Sequence, residues 1–239
     1  MKPYITVLIP ARMGSVRCKN KNFRPFCNNR SGDVIHLTDL AIAAARELPG
    51  VGRIIVSTDQ ADPNKYNQLN LGDPRVEILK RPDELCTSEA SSELVMLHAL
   101  GEDIGAKLFL VLQPTSPFRT ESTLRSMVSG FRLKEDGTFA YTSRFESRLV
   151  DANPRQLANS DIPNGNVYGF RKTFLDDLRI RASGHRPGHL MSWHSTAHDL
   201  RSVQPHHPAE NLDIDTEDQF EMASVLARDE GFAWKFLGF

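Results

Sequence analysis

Along the first half of the chain, short β-branched or leucine-rich runs alternate with longer stretches of helical period. Residues 5–9, 53–57, 76–80 and 108–112 have the length and composition of strands. Between them, residues 34–48 set Leu37, Leu40, Ala41, Ala44, Ala45 and Leu48 on one stripe, and residues 91–100 are again amphipathic. Residues 120–133 follow the fourth strand in the same way, with Leu124, Met127, Val128 and Phe131 at helical spacing. A strand–helix–strand rhythm implies right-handed crossovers and an α/β fold, a mainly parallel sheet flanked by helices on both faces.

The rhythm breaks after about Phe139. From there the chain is rich in Asn, Asp, Pro and Arg, with one clear strand at 166–170 and a helical piece near 172–178. Such a stretch predicts a small excursion, approximately 139–200, within a single domain of 1–239 rather than a second core. Order returns at Leu212, where 212–215 is extended. Thr216 and Gln219 then form a capping-box pattern opening a helix over 217–229, which the pattern stops at Gly231.

Composition narrows the class. With 29 Lys and Arg against 30 Asp and Glu the formal charge is −1, and 40% of the 239 residues are hydrophobic, the proportions of an ordinary globular protein. Near-neutrality and the lack of long basic blocks exclude nucleic-acid binding by bulk charge, so any phosphate-binding charge is local. No apolar run approaches the ~20 residues that cross a bilayer, and the apolar start breaks at Pro10 and Arg12, so it reads as a first strand and no membrane contact is expected. Three cysteines without a CxxC pair point to neither disulfides nor zinc, and cytoplasmic residence is the expectation.

In open parallel sheets, ligands bind at the carboxyl ends of strands. The loop leaving the first strand carries Arg12, Gly14, Ser15, Arg17, Lys19 and Lys21. Gly14 lets the backbone approach a ligand, and the cations compensate phosphate charge, so the loop reads as a polyphosphate cradle; a solvated basic loop is the plainer alternative. It is neither a Walker A loop nor a GxGxxG fingerprint. The fourth strand runs into Leu112-Gln-Pro-Thr-Ser-Pro-Phe-Arg119, a rigid turn that projects the Gln113 amide toward the cleft or simply caps the next helix. Asp213 and Asp215 stand two apart on an extended segment, so their carboxylates share a face while Ile214 points to the core. Two hard oxygen ligands suit Mg²⁺; an acidic helix start explains them as well.

Taken in order, these segments resemble the CMP-sialic acid synthetase (acylneuraminate cytidylyltransferase) family, including its bacterial members acting on legionaminic or pseudaminic acid. The matching text is Ile9-Pro-Ala-Arg-Met-Gly-Ser-Val-Arg-Cys-Lys-Asn-Lys-Asn22, Arg81-Pro-Asp-Glu-Leu85 with Ala90-Ser-Ser92, Leu112 to Arg119, Asn164-Gly165, and Asp213 to Asp218. The resemblance covers residues 5–135 and 155–229 and implies a Rossmann-like domain whose excursion pairs two copies as a homodimer. It implies transfer of CMP from CTP to the anomeric hydroxyl of a nine-carbon keto-sugar acid, with loss of pyrophosphate. In that family Arg12, Gly14, Ser15 and Lys21 would face the triphosphate. Asn22, Arg81, Ala90 and Ser92 would surround the cytidine, and Gln113 would meet the sugar acid. Asp213 and Asp215 would hold Mg²⁺, with one of them near the attacking hydroxyl. Arg12, Lys21, Asp215 and Arg155 would be the catalytic set, Arg155 standing where the family has a longer Arg-Arg-Gln-Asp segment.

Two departures qualify the resemblance. The stretch between Gln113 and Asn164 is short, and the later stretch 179–211 is long and holds six of the eight histidines. His194 and His198 have the spacing of a metal pair, but the prolines and glycines around them argue for a loop. The alternatives are a nucleotidyltransferase of the same fold acting on another sugar acid, such as a KDO-like one, or on a sugar phosphate, and a non-catalytic nucleotide-binding protein.

Overall fold

A computed structural model describes residues 4–60, 62, 65–66, 71–101, 105–133, 139–144, 162–182, 200–233 and 235–237. In chain order the strands are β1 (Ile5–Pro10), β2 (Cys27–Asn28), β3 (Val34–Ile35), β4 (Val51–Thr58), β5 (Val76–Lys80), β6 (Leu108–Leu112), β7 (Phe139–Arg144), β8 (Ile162–Arg171) and β9 (Leu200–Val203). The helices are α1 (Leu37–Glu47), α2 (Ser92–Leu100), α3 (Glu121–Leu133), α4 (Lys172–Ala182), α5 (Glu217–Arg228) and the short α6 (Glu230–Ala233).

Seven strands form one sheet in the order β5-β4-β1-β6-β8-β7-β9. The first four are mutually parallel, β8 is antiparallel to β6 and β7, and β9 is parallel to β7. Alternation along the strands feeds two cores. Val7, Ile9, Ile54 and Leu110 pack with Ala41 and Ala45 of α1 and Leu124 and Met127 of α3 on one face. On the other, Leu8, Ile55, Phe109 and Phe170 pack with Met96 and Leu100 of α2 and Leu175 and Leu178 of α4. A third cluster joins α5, the β2–β3 hairpin and Ile214.

Three expectations change. The helix expected from residue 34 begins at Leu37, because Val34 and Ile35 pair with Cys27 and Asn28 in a hairpin and the His36 ring caps the helix. The last helix ends at its cap Asp229, and Gly231 lies inside α6 rather than stopping α5. Among the described parts of 139–200, β7 and β8 belong to the main sheet and α4 packs against it. The broken rhythm marks the reversal of β8, which runs antiparallel to both β6 and β7. The rest of the expected excursion lies outside the described residues, and the homodimer remains an expectation. No helix among the described residues is long and apolar enough to cross a membrane.

One core residue is costly. Glu93, in the first turn of α2, is completely buried, and burial outweighs the nearby Ser91 hydroxyl to push its carboxyl up to about 7. A raised folded pKa favours the folded state below the unfolded value, near 4.5, and that advantage disappears as pH rises through 7. Glu93→Gln, which mimics the protonated form, should therefore flatten the pH dependence of stability between these limits. At pH 8 it should stabilise the protein by about 2 kcal/mol in urea unfolding. An unchanged pH profile would mean that Glu93 is ionised at little cost in the native state.

Candidate functional site

The carboxyl ends of β1, β5 and β6 open onto a cleft of about 380 Å³. Arg12, Ser15, Lys21, Asn22, Arg81, Ala90, Ser92, Gln113, Asp213 and Asp215 all line it, together with Arg17 and Thr115. Segments separated by some two hundred residues thus meet where the topology places a ligand.

The basic loop reaches the cleft through a specific bend. Asn20 adopts the left-handed conformation, φ 53°, which asparagine tolerates better than most residues, and turns the chain into a single 3₁₀ turn burying Lys21, Asn22 and Phe23. The Ser15 hydroxyl donates to the Cys18 carbonyl at 2.5 Å and accepts from the Lys21 N–H at 3.1 Å. Ser15 also spends its N–H on Met13, so in the free protein it organises the loop. Asn22 Nδ2 donates to the Arg12 carbonyl at 3.0 Å, while its Oδ1 is a buried acceptor without a partner. A Cβ on Gly14 would meet only the Arg12 guanidinium, at 3.9 Å, and Gly14 is not among the cleft-lining residues; the fold does not demand this glycine. The Met13 N–H bonds Asp59 Oδ1 at 2.8 Å, so Asp59, just past β4, anchors the loop, a role the sequence pattern does not show.

Arg81 is buried in the cleft wall. Its guanidinium donates to the Ser57 carbonyl at 2.8 Å, the Ser57 hydroxyl at 3.2 Å and the Leu85 carbonyl at 3.2 Å. Burial, with Arg12 nearby, lowers its pKa from the usual arginine value. With so many donors spent on backbone, Arg81 shapes the wall that carries Ala90 and Ser92. Among the described residues Arg12 has no ion-pair partner, which leaves an uncompensated cation in the cleft.

The acidic side is built by a buried polar network. Ile214 donates its N–H to the Thr115 carbonyl at 2.8 Å, stitching the Asp213 segment to the turn after β6. Arg119, the last residue of that turn, is fully buried. It donates to the Gln113 carbonyl and, through Nε and a terminal nitrogen at 3.2 and 3.1 Å, to the Asn166 carbonyl. Burial pushes its pKa down to about 9 despite the charges of Glu210 and Asp213. Glu210 collects the N–H groups of Thr120, His206 and His207, each at 2.9 Å, and the Thr123 hydroxyl at 2.8 Å. Arg119, Asn166 and Glu210 thus place Gln113 and Asp213, although only Arg119 belongs to a segment singled out above and none carried a role. His206 and His207 are part of this scaffold, His207 capping the turn Pro208–Asn211; the other histidines of the stretch, His185, His189, His194 and His198, lie outside the described residues, as does Arg155.

Asp213 is half-buried; burial and the charge of Asp215 raise its carboxyl above the ordinary range, against the Thr115 hydrogen bond and the charges of Lys21 and Arg119. Its Oδ1 is buried without a partner, as expected of an oxygen shaped for a cation. Asp215 is paired on both oxygens, Oδ1 to Lys21 Nζ at 3.1 Å and Oδ2 to Arg17 at 3.0 Å. Lys21 Nζ also donates to the Ile214 carbonyl. No cluster of three or more His, Cys, Asp or Glu side chains that could hold a metal occurs among the described residues, so a divalent ion held by Asp213 and Asp215 would complete its shell from other oxygens, substrate and water among them.

Gly165 explains the Asn-Gly pair. Its φ is +83°, and a Cβ would sit 3.3 Å from Asp213 Oδ2 and 3.5 Å from the Ser116 hydroxyl. Gly165→Ala should cost about 1–2 kcal/mol in thermal unfolding and displace the Asp213 carboxylate, cutting turnover about tenfold or more. Unchanged turnover would show that Asp213 tolerates displacement.

A family model described as cytidylyltransferase matches residues 6–161. The chain belongs to this family. An N-acylneuraminate cytidylyltransferase of Escherichia coli is 32% identical over 135 residues, which are 56% of this chain and 30% of that protein, so the match spans under a third of the curated relative's length. Among solved structures, a 4-diphosphocytidyl-2C-methyl-D-erythritol synthase from Anaerococcus prevotii superposes with TM-score 0.66 at 12% identity, over 93% of this chain and 95% of that one. A CMP:2-keto-3-deoxy-manno-octonic acid synthetase complexed with CTP superposes with TM-score 0.61 at 15% identity, over 93% and 98%. At such identities the superpositions establish the cytidylyltransferase fold. The cleft of this cytidylyltransferase-family chain lies at the strand ends, as that fold requires.

Proposed function

We propose that the protein transfers CMP from CTP to the anomeric hydroxyl of a nonulosonic, sialic-type acid, releasing pyrophosphate in a Mg²⁺-dependent reaction. The observation that carries this reading is the convergence of an uncompensated Arg12, a buried Lys21 and the Asp213–Asp215 pair in one cleft. Cations set directly beside two carboxylates in one cleft suit a triphosphate and its metal. The named activity of the Escherichia coli relative supports the sialic-type acceptor.

In this reading Arg12 and Lys21 hold the triphosphate and neutralise charge as it shifts to the leaving pyrophosphate. Gly14, although outside the cleft lining, is proposed to let the loop backbone approach the nucleotide. The partnerless Asn22 Oδ1 offers an acceptor on the nucleotide side, and Ala90 and Ser92 sit on the wall that Arg81 shapes. Gln113 projects from the end of β6 toward the sugar acid, and Arg155 is proposed as a further cation at the reacting groups. Asp213 and Asp215 would hold Mg²⁺, which supplies charge neutralisation at the α-phosphate. One of the two carboxylates, placed beside the attacking hydroxyl, is the proposed acceptor of its proton.

The test incubates the protein with CTP, Mg²⁺ and a panel of sialic, legionaminic and pseudaminic acids together with an eight-carbon KDO-type acid, and follows pyrophosphate. Release with a nine-carbon acid is expected. Release with the eight-carbon acid alone would move the assignment to the acceptor of the CTP-bound structural neighbour. No release with any acceptor, from folded protein, would remove it.

A further inference from the structure

Arg17 has no role in the reading so far beyond adding charge to the loop, yet its placement is specific. Its side chain is 71% exposed on a loop also carrying the exposed Val16, and it holds Asp215 Oδ2 at 3.0 Å. Lys21 holds the other oxygen at 3.1 Å, but Lys21 is fixed: its side chain is only 10% exposed, and its ammonium also donates to the Ile214 carbonyl. Asp215 itself is 39% exposed and accessible from the cleft. In the free protein, therefore, one of the two carboxylates proposed for the metal has both oxygens committed to cations, while the other, Asp213, offers the unpartnered Oδ1.

We propose that Arg17 is an exchange cation that makes metal binding conditional on nucleotide. Without a triphosphate, Arg17 neutralises Asp215 and its positive charge repels a divalent ion from the cleft. When a nucleoside triphosphate enters, its phosphate oxygens compete for the guanidinium, which prefers the bidentate geometry and higher charge of phosphate. Arg17 moves to the triphosphate, Asp215 Oδ2 is released, and the divalent ion completes its shell between Asp213, Asp215 and the phosphates. Exposure and a long side chain make the transfer inexpensive, because a solvent-exposed pair is weak. The inference rests on the CTP reading of the cleft and adds an order of assembly, nucleotide before or together with metal, with metal alone held only weakly.

The test needs no turnover. Mn²⁺, standing in for Mg²⁺, is titrated into nucleotide-free protein and the free hexaaqua ion is followed by electron paramagnetic resonance. Wild type should bind weakly. Arg17→Gln should bind about tenfold more tightly, because it removes both the competing ion pair and the repulsion of a divalent ion a few ångströms away. Adding Asp215→Asn to Arg17→Gln should cancel the gain, which a general change in surface charge would not do. In parallel, calorimetry in EDTA measures CTP binding without metal. CTP binding by wild type with equal Mn²⁺ affinities in wild type and Arg17→Gln would overturn the exchange and leave the nucleotide reading standing. No CTP binding at all would remove the nucleotide reading and the exchange together.

Discussion

Asp215→Asn should abolish pyrophosphate release while the fold persists. The substitution leaves the shape of the side chain but removes the charge that would hold a divalent ion, and an amide is a poor ligand for a hard cation. Losing one of the two carboxylates proposed for such a site should cost about 10³-fold in turnover, the scale of removing a principal electrostatic contact to a reacting phosphate. Stability should change little, since Asp215 is partly exposed and Lys21 keeps its bond to the Ile214 carbonyl. Asp213→Asn should match the loss in turnover; with its raised carboxyl the change should be neutral or slightly stabilising. Pyrophosphate release with unfolding curves for both variants checks this, and near-normal turnover by Asp215→Asn would remove that residue from the metal role.

The second large effect concerns stability. Glu210 is fully buried and accepts from three backbone N–H groups and two hydroxyls, which tie the start of α3 to the loop carrying His206 and His207. Glu210→Ala would strand those donors and deprive the buried Arg119 of a favourable negative charge, at a cost of about 3–5 kcal/mol. Glu210→Gln keeps one acceptor oxygen and turns an amide toward a donor, so about half that loss is expected. Urea unfolding of the two variants orders them, and an Ala variant as stable as wild type would mean that water replaces the carboxylate without cost.

Much of this architecture was legible in the residues because burial on two faces writes a repeating pattern. Strands β1, β4, β5 and β6 and helices α2 and α3 fall where periodicity places them, within a few residues. The capping box at Thr216 and Gln219 is present as the residue types require. The departures have local causes. Val34 and Ile35 continue an apolar stripe, yet a hairpin partner upstream claims their backbone. The reversal of β8 leaves no mark on its composition, since a strand buried on both faces reads the same in either direction.

The site divides similarly. Short loops with unusual charge, such as Arg12 to Asn22 and Asp213 to Asp218, announce themselves, and the cleft unites them. Residues that act through backbone contacts do not. Asp59 matters because one carboxylate oxygen reaches the Met13 N–H, and Asn166 and Glu210 because they satisfy buried donors and carbonyls. Such roles depend on which chain segments become neighbours, a fact that no local spacing carries. Ser15 and Arg81, expected at the ligand, spend their donors on the protein itself in its free form.

The central claim is that this cleft joins CMP to a sugar acid, and phosphorus NMR of one reaction mixture tests it most directly. With CTP, Mg²⁺ and a nine-carbon keto-sugar acid, the three CTP resonances should give way to one phosphodiester resonance and pyrophosphate in equal molar amounts. Conversion of CTP to CDP or CMP with inorganic phosphate, or CTP left unchanged by the folded protein, would contradict the account.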